Sequence, residues 1–313
     1  MPGTPLVSVV IPCYNHAHFL GEALASIGTP HTATEIVVVD DGSVDSTPEV
    51  VATFETANAF RSVRQQNSGL AAARNRGLRE SRGQYVVFLD ADDRLAPGAL
   101  DLGAATLTAR PECAFVFGRC RMMDRDGTPL DTPVQPRIVR DHYRELLRRN
   151  YIWMPGMVMF RRDALERVGG FNSDVNASAD YEVYLHIARH HPVHDHGQVV
   201  ADYRKHDLNM SGNAARMLRE TLAVMSSQRP FLEGDDASLA AYDEGWRNWQ
   251  EFYGTHLVNE IRAAVRQRRP FEALRKAAVL GFYHPRGLFH HARRKTELTV
   301  GGRTKSRAYA RRT

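Results

Sequence analysis

The chain has 313 residues, 43% hydrophobic and 25% charged, a composition of an ordinary globular protein with room for one large domain and a smaller one. No apolar run approaches the ~20 residues that a membrane span needs, and no charged segment followed by an apolar stretch opens the chain, so neither a spanning helix nor a secretory leader is expected. The net charge of +5 is unevenly placed: from Arg262 onwards fifteen Lys/Arg face only Glu272 and Glu297, a net of +13, which leaves −8 on residues 1–261 and argues against a nucleic-acid-binding surface there.

The first hundred residues alternate strand and helix signals. Val7–Ile11 reads as a strand that stops at Pro12, and Phe19, Leu20, Ala23, Leu24 and Ile27 recur at helical spacing. Residues 35–39 form a second buried strand that runs into Asp40-Asp41-Gly42-Ser43. Ser46-Thr47-Pro48-Glu49 then supplies a cap and an early-helix proline. A third helix opens over 68–75, and Tyr85–Leu89 is the third strand of an α/β pattern, which implies a parallel sheet with helices on its faces. Ligands of such sheets sit beyond the carboxyl ends of the strands.

The third strand ends in Asp90-Ala91-Asp92-Asp93, three carboxylates within four positions. Two like charges at ~4 Å repel by roughly 1–4 kcal/mol at surface-like dielectric. A hard divalent cation held by oxygen ligands, Mn²⁺ or Mg²⁺, is the usual remedy. The plainer reading is a turn in which an Asp caps the next helix. Company favours the first reading, because Pro12-Cys13-Tyr14-Asn15 and Asp40-Asp41 fall on the same sheet edge.

Past Pro111 the signals shorten. A strand starts at 114–117, an Asp-Gly turn follows at Asp126-Gly127, and a proline-interrupted loop runs to Pro136. Helices are expected over 141–150, 163–168 and 180–190, with a strand over 156–161. Beyond residue 211 the β signals vanish, which divides the chain into 1–212 and a helical, basic extension over 213–313. Cys13, Cys113 and Cys120 show no metal or redox spacing and suit a reducing cytoplasm, in which the Asn-x-Ser matches at Asn176 and Asn209 carry no glycan.

These motifs resemble family-2 glycosyltransferases. The resemblance rests on Val9–Asn15, Val38–Ser43, Asn67–Asn75, Asp90–Asp93, Gly169-Gly170-Phe171 and Tyr203–Ser211, and spans about residues 5–211. It implies the type-A nucleotide-sugar transferase fold, inversion at the anomeric carbon, and help from Mn²⁺ or Mg²⁺. In that scheme Asp92 is the metal ligand and Asp90 lies against the ribose, while Asp93 reads better as a helix cap. His206 approaches the metal or the diphosphate, or is a surface histidine of a loop. Pro12, Tyr14, Asn15, Asn67 and Ala91 belong to the nucleotide-sugar site. Asp41 can accept from a base N–H, which favours a UDP-sugar, and Arg74 can pair with the diphosphate or hold Asp41 and Asp90 in place.

Inversion needs a base opposite the leaving group. The resemblance points to Asp180, whose alternative is an N-cap role, with Glu182 as the fallback; Ala179 replaces the glutamate that relatives carry before the base. Trp153 and Met157, with the loop 128–140, are candidates for contacts to a saccharide or lipid-linked saccharide acceptor; for Trp153 a core position is the competing reading. His190, His191, His194 and His196 read as a solvated helix end. In the tail, Phe271, Leu274, Ala278 and Phe282 share a helix face flanked by Arg266, Arg268, Arg269, Arg275 and Lys276, with Arg293-Arg294-Lys295 beyond. This suits either an anionic membrane surface, with the protein peripheral on the inner face of the cell membrane, or a helical cap on the catalytic domain. A sugar-nucleotide pyrophosphorylase is a weaker alternative, since Pro12-Cys13-Tyr14-Asn15-His16 stands where that class carries a Gly-rich phosphate loop. A nucleotide-sugar-binding protein without turnover is the other.

Overall fold

The computed structural model describes residues 5–54, 60–207 and 209–285. The N-terminal half carries β1 (Val7–Cys13), α1 (Ala17–Ser26), β2 (Thr34–Asp40), α2 (Thr47–Phe54), β3 (Phe60–Arg64), α3 (Leu70–Glu80) and β4 (Tyr85–Phe88). After it come β5 (Arg94–Leu95), α4 (Ala99–Ala109), β6 (Phe115–Met123), β7 (Pro129–Leu130), α5 (His142–Arg148), β8 (Val158–Arg161), α6 (Arg162–Arg167), α7 (Ala179–Ala188) and β9 (Val193–Arg204). Three helices close the described chain: α8 (Ala214–Gln228), α9 (Asp236–Arg266) and α10 (Pro270–Tyr283).

One nine-stranded sheet runs β3-β2-β1-β4-β8-β6-β9-β5, with β7 on the flank of β6. Pairing is parallel from β3 to β4, as the βαβ pattern requires. It turns antiparallel at β4–β8 and β8–β6, and β9 then pairs parallel with β6. The strand at β3 is absent from the sequence reading. It is a half-exposed edge strand whose only strong apolar residues are Phe60 and Val63, so it lacks a buried run to announce it. The long β9 was also unforeseen. His194 and His196 lie on it, and only His190 and His191 follow the end of α7.

Period-2 alternation builds two cores. Val7, Val9 and Ile11 of β1 pack with Leu20, Leu24 and Leu107 on one face, while Val10, Val37 and Phe88 pack with Ala71, Leu165 and Leu185 on the other. The first strand does not stop at Pro12 but continues to Cys13 against β2. Pro12 is tolerated because its missing N–H falls on the β4 side, where pairing has already ended at Val10.

The change of secondary structure near residue 213 is not a break in packing. Ala177 N donates to Glu220 Oε2 of α8 at 2.6 Å, and Val224, Met225, Ala241 and Tyr242 belong to the same core as β6 and α7. At Gly245 a Cβ would stand 1.8 Å from the carbonyl oxygen of Leu147, so α9 lies directly on the backbone of α5. Gly245→Ala should therefore lower the urea midpoint, by overpacking worth about 1–3 kcal/mol. Helix propensity alone would raise it, so a stabilised variant would refute this contact.

Candidate active site

The loops after β1, β2 and β4 open on one side of the sheet and line a cleft of about 1190 Å³. Pro12, Tyr14, Asp41, Asn67, Arg74, Asp90, Ala91, Asp92, Trp153, Asp180 and His206 all face it. Residues as distant in sequence as Pro12 and Asp92 thus meet in one site because parallel strands deliver their carboxyl ends to one edge, and Asp180 and His206 join them from later elements.

Tyr14 is exposed at the mouth, free to lie against a flat ligand. Asp41 is buried and already engaged: Oδ1 accepts from Gln65 Nε2 at 2.8 Å and Ser68 N at 2.9 Å, and Oδ2 from Gly69 N at 2.8 Å. Its charge thus sits at the N-terminus of α3, where unsatisfied amides favour an anion. A carboxylate has about four acceptor positions, which leaves one for a ligand. Gly69 takes φ +90° to make this turn, and Asn176 Oδ1 caps the next amides by accepting from Ala71 N at 2.7 Å.

Arg74, on α3, is buried and bonds both oxygens of Asp90 from Nη2, at 2.7 and 3.0 Å. Burial works against its charge, but Asp90 and then Asp180 hold its pKa above the ordinary arginine value. Its Nε is buried without a partner, so donor capacity remains.

The acidic cluster divides its labour. Asp92 Oδ2 stands 2.9 Å from His206 Nε2. Asp93 is no helix cap, since α4 begins at Ala99 behind Gly98. It is buried instead, accepting the backbone N–H of Arg204 at 2.8 Å, and burial with the charges of Asp92 and Asp90 pushes its carboxyl well above the usual range.

Arg204 is the residue that the motif reading overlooked. It is 1% exposed, and its guanidinium donates to the carbonyl of Asp92 at 2.7 Å, the carbonyl of Arg125 at 2.6 Å and Glu22 Oε2 at 2.7 Å, above the ring of Phe19. It clamps the end of β9 to the Asp92 turn and so positions both Asp92 and His206. Lys205 beside it faces the cleft, with Nζ 4.3 Å from the Tyr203 ring centre, and adds a cation for a phosphorylated ligand.

Asp180 is the second residue of α7, after Ser178 in the N-cap position, so it does not cap the helix. It keeps a partly exposed face on the cleft, yet burial raises its carboxyl above the ordinary value, with the Arg74 charge opposing. Ala179 is fully buried in the core, where a glutamate would lose its solvation. Glu182 is buried, accepts a 3.4 Å hydrogen bond from Asn172 Nδ2, and does not face the cleft.

Two expected contacts are corrected. Asn15 takes φ +55° and ties the β1 loop to the β2 loop, with its N–H on Ser43 Oγ at 2.9 Å and its Oδ1 accepting from Val44 N at 2.8 Å. It is a scaffold residue off the cleft. Met157 is 1% exposed inside the core, because the strand it introduces, β8, is central to the sheet. Trp153 fits both of its readings, packed on the core and facing the cleft. The cleft-lining residues that sequence reasoning missed, Trp249, Phe252, Tyr253 and His256, come from α9.

Asp92 and His206 form a two-donor set of one carboxylate oxygen and one imidazole nitrogen. That set suits Mn²⁺ or Mg²⁺, ions that take few protein ligands and complete their shell with water and phosphate oxygens. Among the described residues no group of three or more His, Cys, Asp or Glu could hold an ion by itself.

Known proteins resemble this chain in sequence and in fold. A Bacillus subtilis (strain 168) protein, provisionally named as the teichuronic acid biosynthesis glycosyltransferase TuaG, is 37% identical over 130 residues, which are 41% of this chain. The chain spans only about half of that relative's length, 51%. The structure of S. aureus TarS 1-349 in complex with UDP superposes with a TM-score of 0.63 at 17% identity, covering 92% of this chain and 91% of the other. The mannosyltransferase PcManGT from Pyrobaculum calidifontis, in complex with GDP-Man and Mn²⁺, gives 0.57 at 22% identity over 92% and 88%. These likenesses establish the type-A glycosyltransferase fold, an α/β sheet followed by C-terminal helices. The family model described as Glycosyl transferase family 2 matches residues 8–169, over half of the sequence, and the chain belongs to that family.

Proposed function

We propose that this protein is an inverting transferase that moves a sugar from a nucleoside diphosphate donor, a UDP-sugar by preference, to a hydroxyl of a saccharide or lipid-linked saccharide in cell-surface polysaccharide or glycolipid synthesis. The observation that carries it is one cleft holding the Asp92–His206 pair with Lys205, and also a carboxylate, Asp180, whose pKa is raised. The first group serves a departing diphosphate, and the second serves a hydroxyl that must lose its proton. Asp92 and His206 would hold a divalent cation, which when bound would supply Lewis-acid neutralisation of the leaving group. Arg74 holds Asp90 for the ribose and opposes the rise that burial causes in the Asp180 pKa, while Arg204 fixes the Asp92 turn. Relatives crystallised with UDP, UDP-GlcNAc and GDP-Man support a nucleotide-sugar donor.

Thermal denaturation with UDP-, GDP- and dTDP-sugars, each with and without Mn²⁺, tests this reading. A donor at a hundred times its dissociation constant should stabilise the fold by about 2.7 kcal/mol. No shift with any of them in the presence of Mn²⁺ would refute it.

The tail favours contact with an anionic membrane. Ala273 and Leu280 of α10 pack inward, and Lys276 bonds Glu260 of α9 at 3.0 Å. Phe271, Leu274 and Phe282 are left 88%, 70% and 78% exposed on the opposite face, with Ala278 between them. A monomer rarely leaves such a stripe bare, and Arg268, Arg269 and Arg275 beside it suit phosphate headgroups. Arg293-Arg294-Lys295 lies outside the described residues, and among those described no helix is long and apolar enough to cross a membrane. We expect sedimentation with vesicles containing phosphatidylglycerol but not with phosphatidylcholine alone, and loss of that binding when Phe271, Leu274 and Phe282 are all changed to Ser.

A further inference from the structure

The cleft has a wall that belongs to α9, outside residues 8–169 that match the family model. Trp249, Phe252, Tyr253 and His256 fall at i, i+3, i+4 and i+7, one helix face. Their rings form a continuous surface. Trp249 stacks on Tyr253 with centroids 5.5 Å apart and planes at 11°, and Phe252 meets Tyr253 at 5.0 Å and His256 at 4.9 Å. Tyr253, Leu257 and Val258 are buried in the C-terminal core with Trp249 packed on it, whereas Phe252 is left 54% exposed and His256 is exposed beside it, so that Trp249 and Tyr253 back the two exposed rings. An aromatic ring kept wet at a cleft wall, with a polar imidazole at its edge, is suited to the apolar face and hydroxyl rim of a pyranose.

The wall also stands next to the proposed base. Tyr181, the residue after Asp180, packs edge-on against Trp249 at 5.8 Å. The Asp180 charge reaches Tyr253 and adds to the burial that raises its phenol. The diphosphate-side groups, Asp92, His206 and Lys205, come instead from the β4 and β9 loops.

We infer that Trp249, Phe252, Tyr253 and His256 form the platform on which the acceptor sugar ring lies, presenting one hydroxyl to Asp180. This rests on the transferase reading above and adds the location and chemical class of the acceptor subsite. Phe252 is the ring to test, because its exposure makes misfolding of Phe252→Ala improbable on physical grounds, and Phe252→Tyr keeps the platform.

Methyl glycosides of glucose, galactose, mannose and N-acetylglucosamine are the probes, followed on the full-length protein by saturation-transfer NMR without donor, and then as acceptors with whichever donor stabilises the fold. At least one glycoside should bind. Phe252→Ala should weaken that binding and raise the acceptor KM by about fivefold to tenfold, the size of one lost ring contact, with donor affinity unchanged and Phe252→Tyr close to the parent. Unchanged glycoside binding and KM in Phe252→Ala would overturn the platform while leaving the transferase intact. Binding of 1-octanol at this wall with no binding of any glycoside would overturn it in favour of a lipid chain. Failure of every donor to bind the parent protein would instead refute the transferase reading, and the NMR comparison would still judge the platform.

Discussion

Asp180→Asn is expected to lower kcat by about 10²–10⁴-fold, the usual contribution of a positioned general base, while donor binding stays intact. The side chain keeps its size but loses its charge and the ability to take a proton. Its stability should be equal or higher at neutral pH. Burial raises the Asp180 pKa, against the opposing charge of Arg74, so the folded state binds this proton more tightly than the unfolded chain does. Ionisation of Asp180 therefore subtracts stability as pH rises from its unfolded to its folded pKa, and an amide removes that loss. For the parent enzyme the rate changes with pH in the opposite direction to this stability. The base must be unprotonated, so kcat/KM should climb with pH through an ionisation above the usual aspartate range. Steady-state rates across pH, calorimetric donor titration and melting of the variant check all three. Transfer at the parental rate in Asp180→Asn would refute Asp180 as the base, and intact binding with no turnover in the parent would favour a binding protein.

Arg74→Met should be costly in two ways. It removes the cation from a buried pair with Asp90, 2.7 Å away, and from the neighbourhood of Asp180, leaving two carboxylates without it. Breaking a buried pair from one side costs about 3–5 kcal/mol, measurable as a lower urea midpoint. The second effect is specific to the site. Arg74 holds the Asp180 pKa down, so its loss should move the acidic limb of kcat/KM to still higher pH. A merely structural arginine would lower stability and leave that limb in place. Arg74→Lys, which keeps a charge, should recover most of the pH profile but not all of the stability.

The donor half of the site was legible because its chemistry sits at the ends of buried parallel strands. A strand such as Tyr85–Phe88 is recognisable from its own residues, and topology then carries Asp90 and Asp92 to the same edge as Pro12 and Asp41. The place after Gly169-Gly170-Phe171 pointed to Asp180, and the fold brings that residue to the cleft. Met157 misled because its local run is apolar and gives no sign of which side of β8 it meets. Arg204 could not be singled out, since its partners Glu22 and Asp92 lie 182 and 112 residues away and local sequence records neither contact.

The outward stripe of α10 was visible as a pattern, but not its direction. Helical spacing places Phe271, Leu274 and Phe282 on one face, and only packing shows that Ala273 and Leu280 face the protein instead. The same limit applies to α9, whose Trp249, Phe252 and Tyr253 carry no local sign of the cleft that the folded helix lines.

The sequence by itself therefore determined the α/β order, the family and the acidic turn, because each depends on local periodicity or on contiguous motifs. Tertiary structure alone decided that Asp93 and Arg204 support the Asp92 turn, that Asn15 and Met157 stand off the site, and that the C-terminal helices complete the cleft. Those outcomes depend on which distant surfaces meet, and burial and charge pairing settle that only in the folded chain.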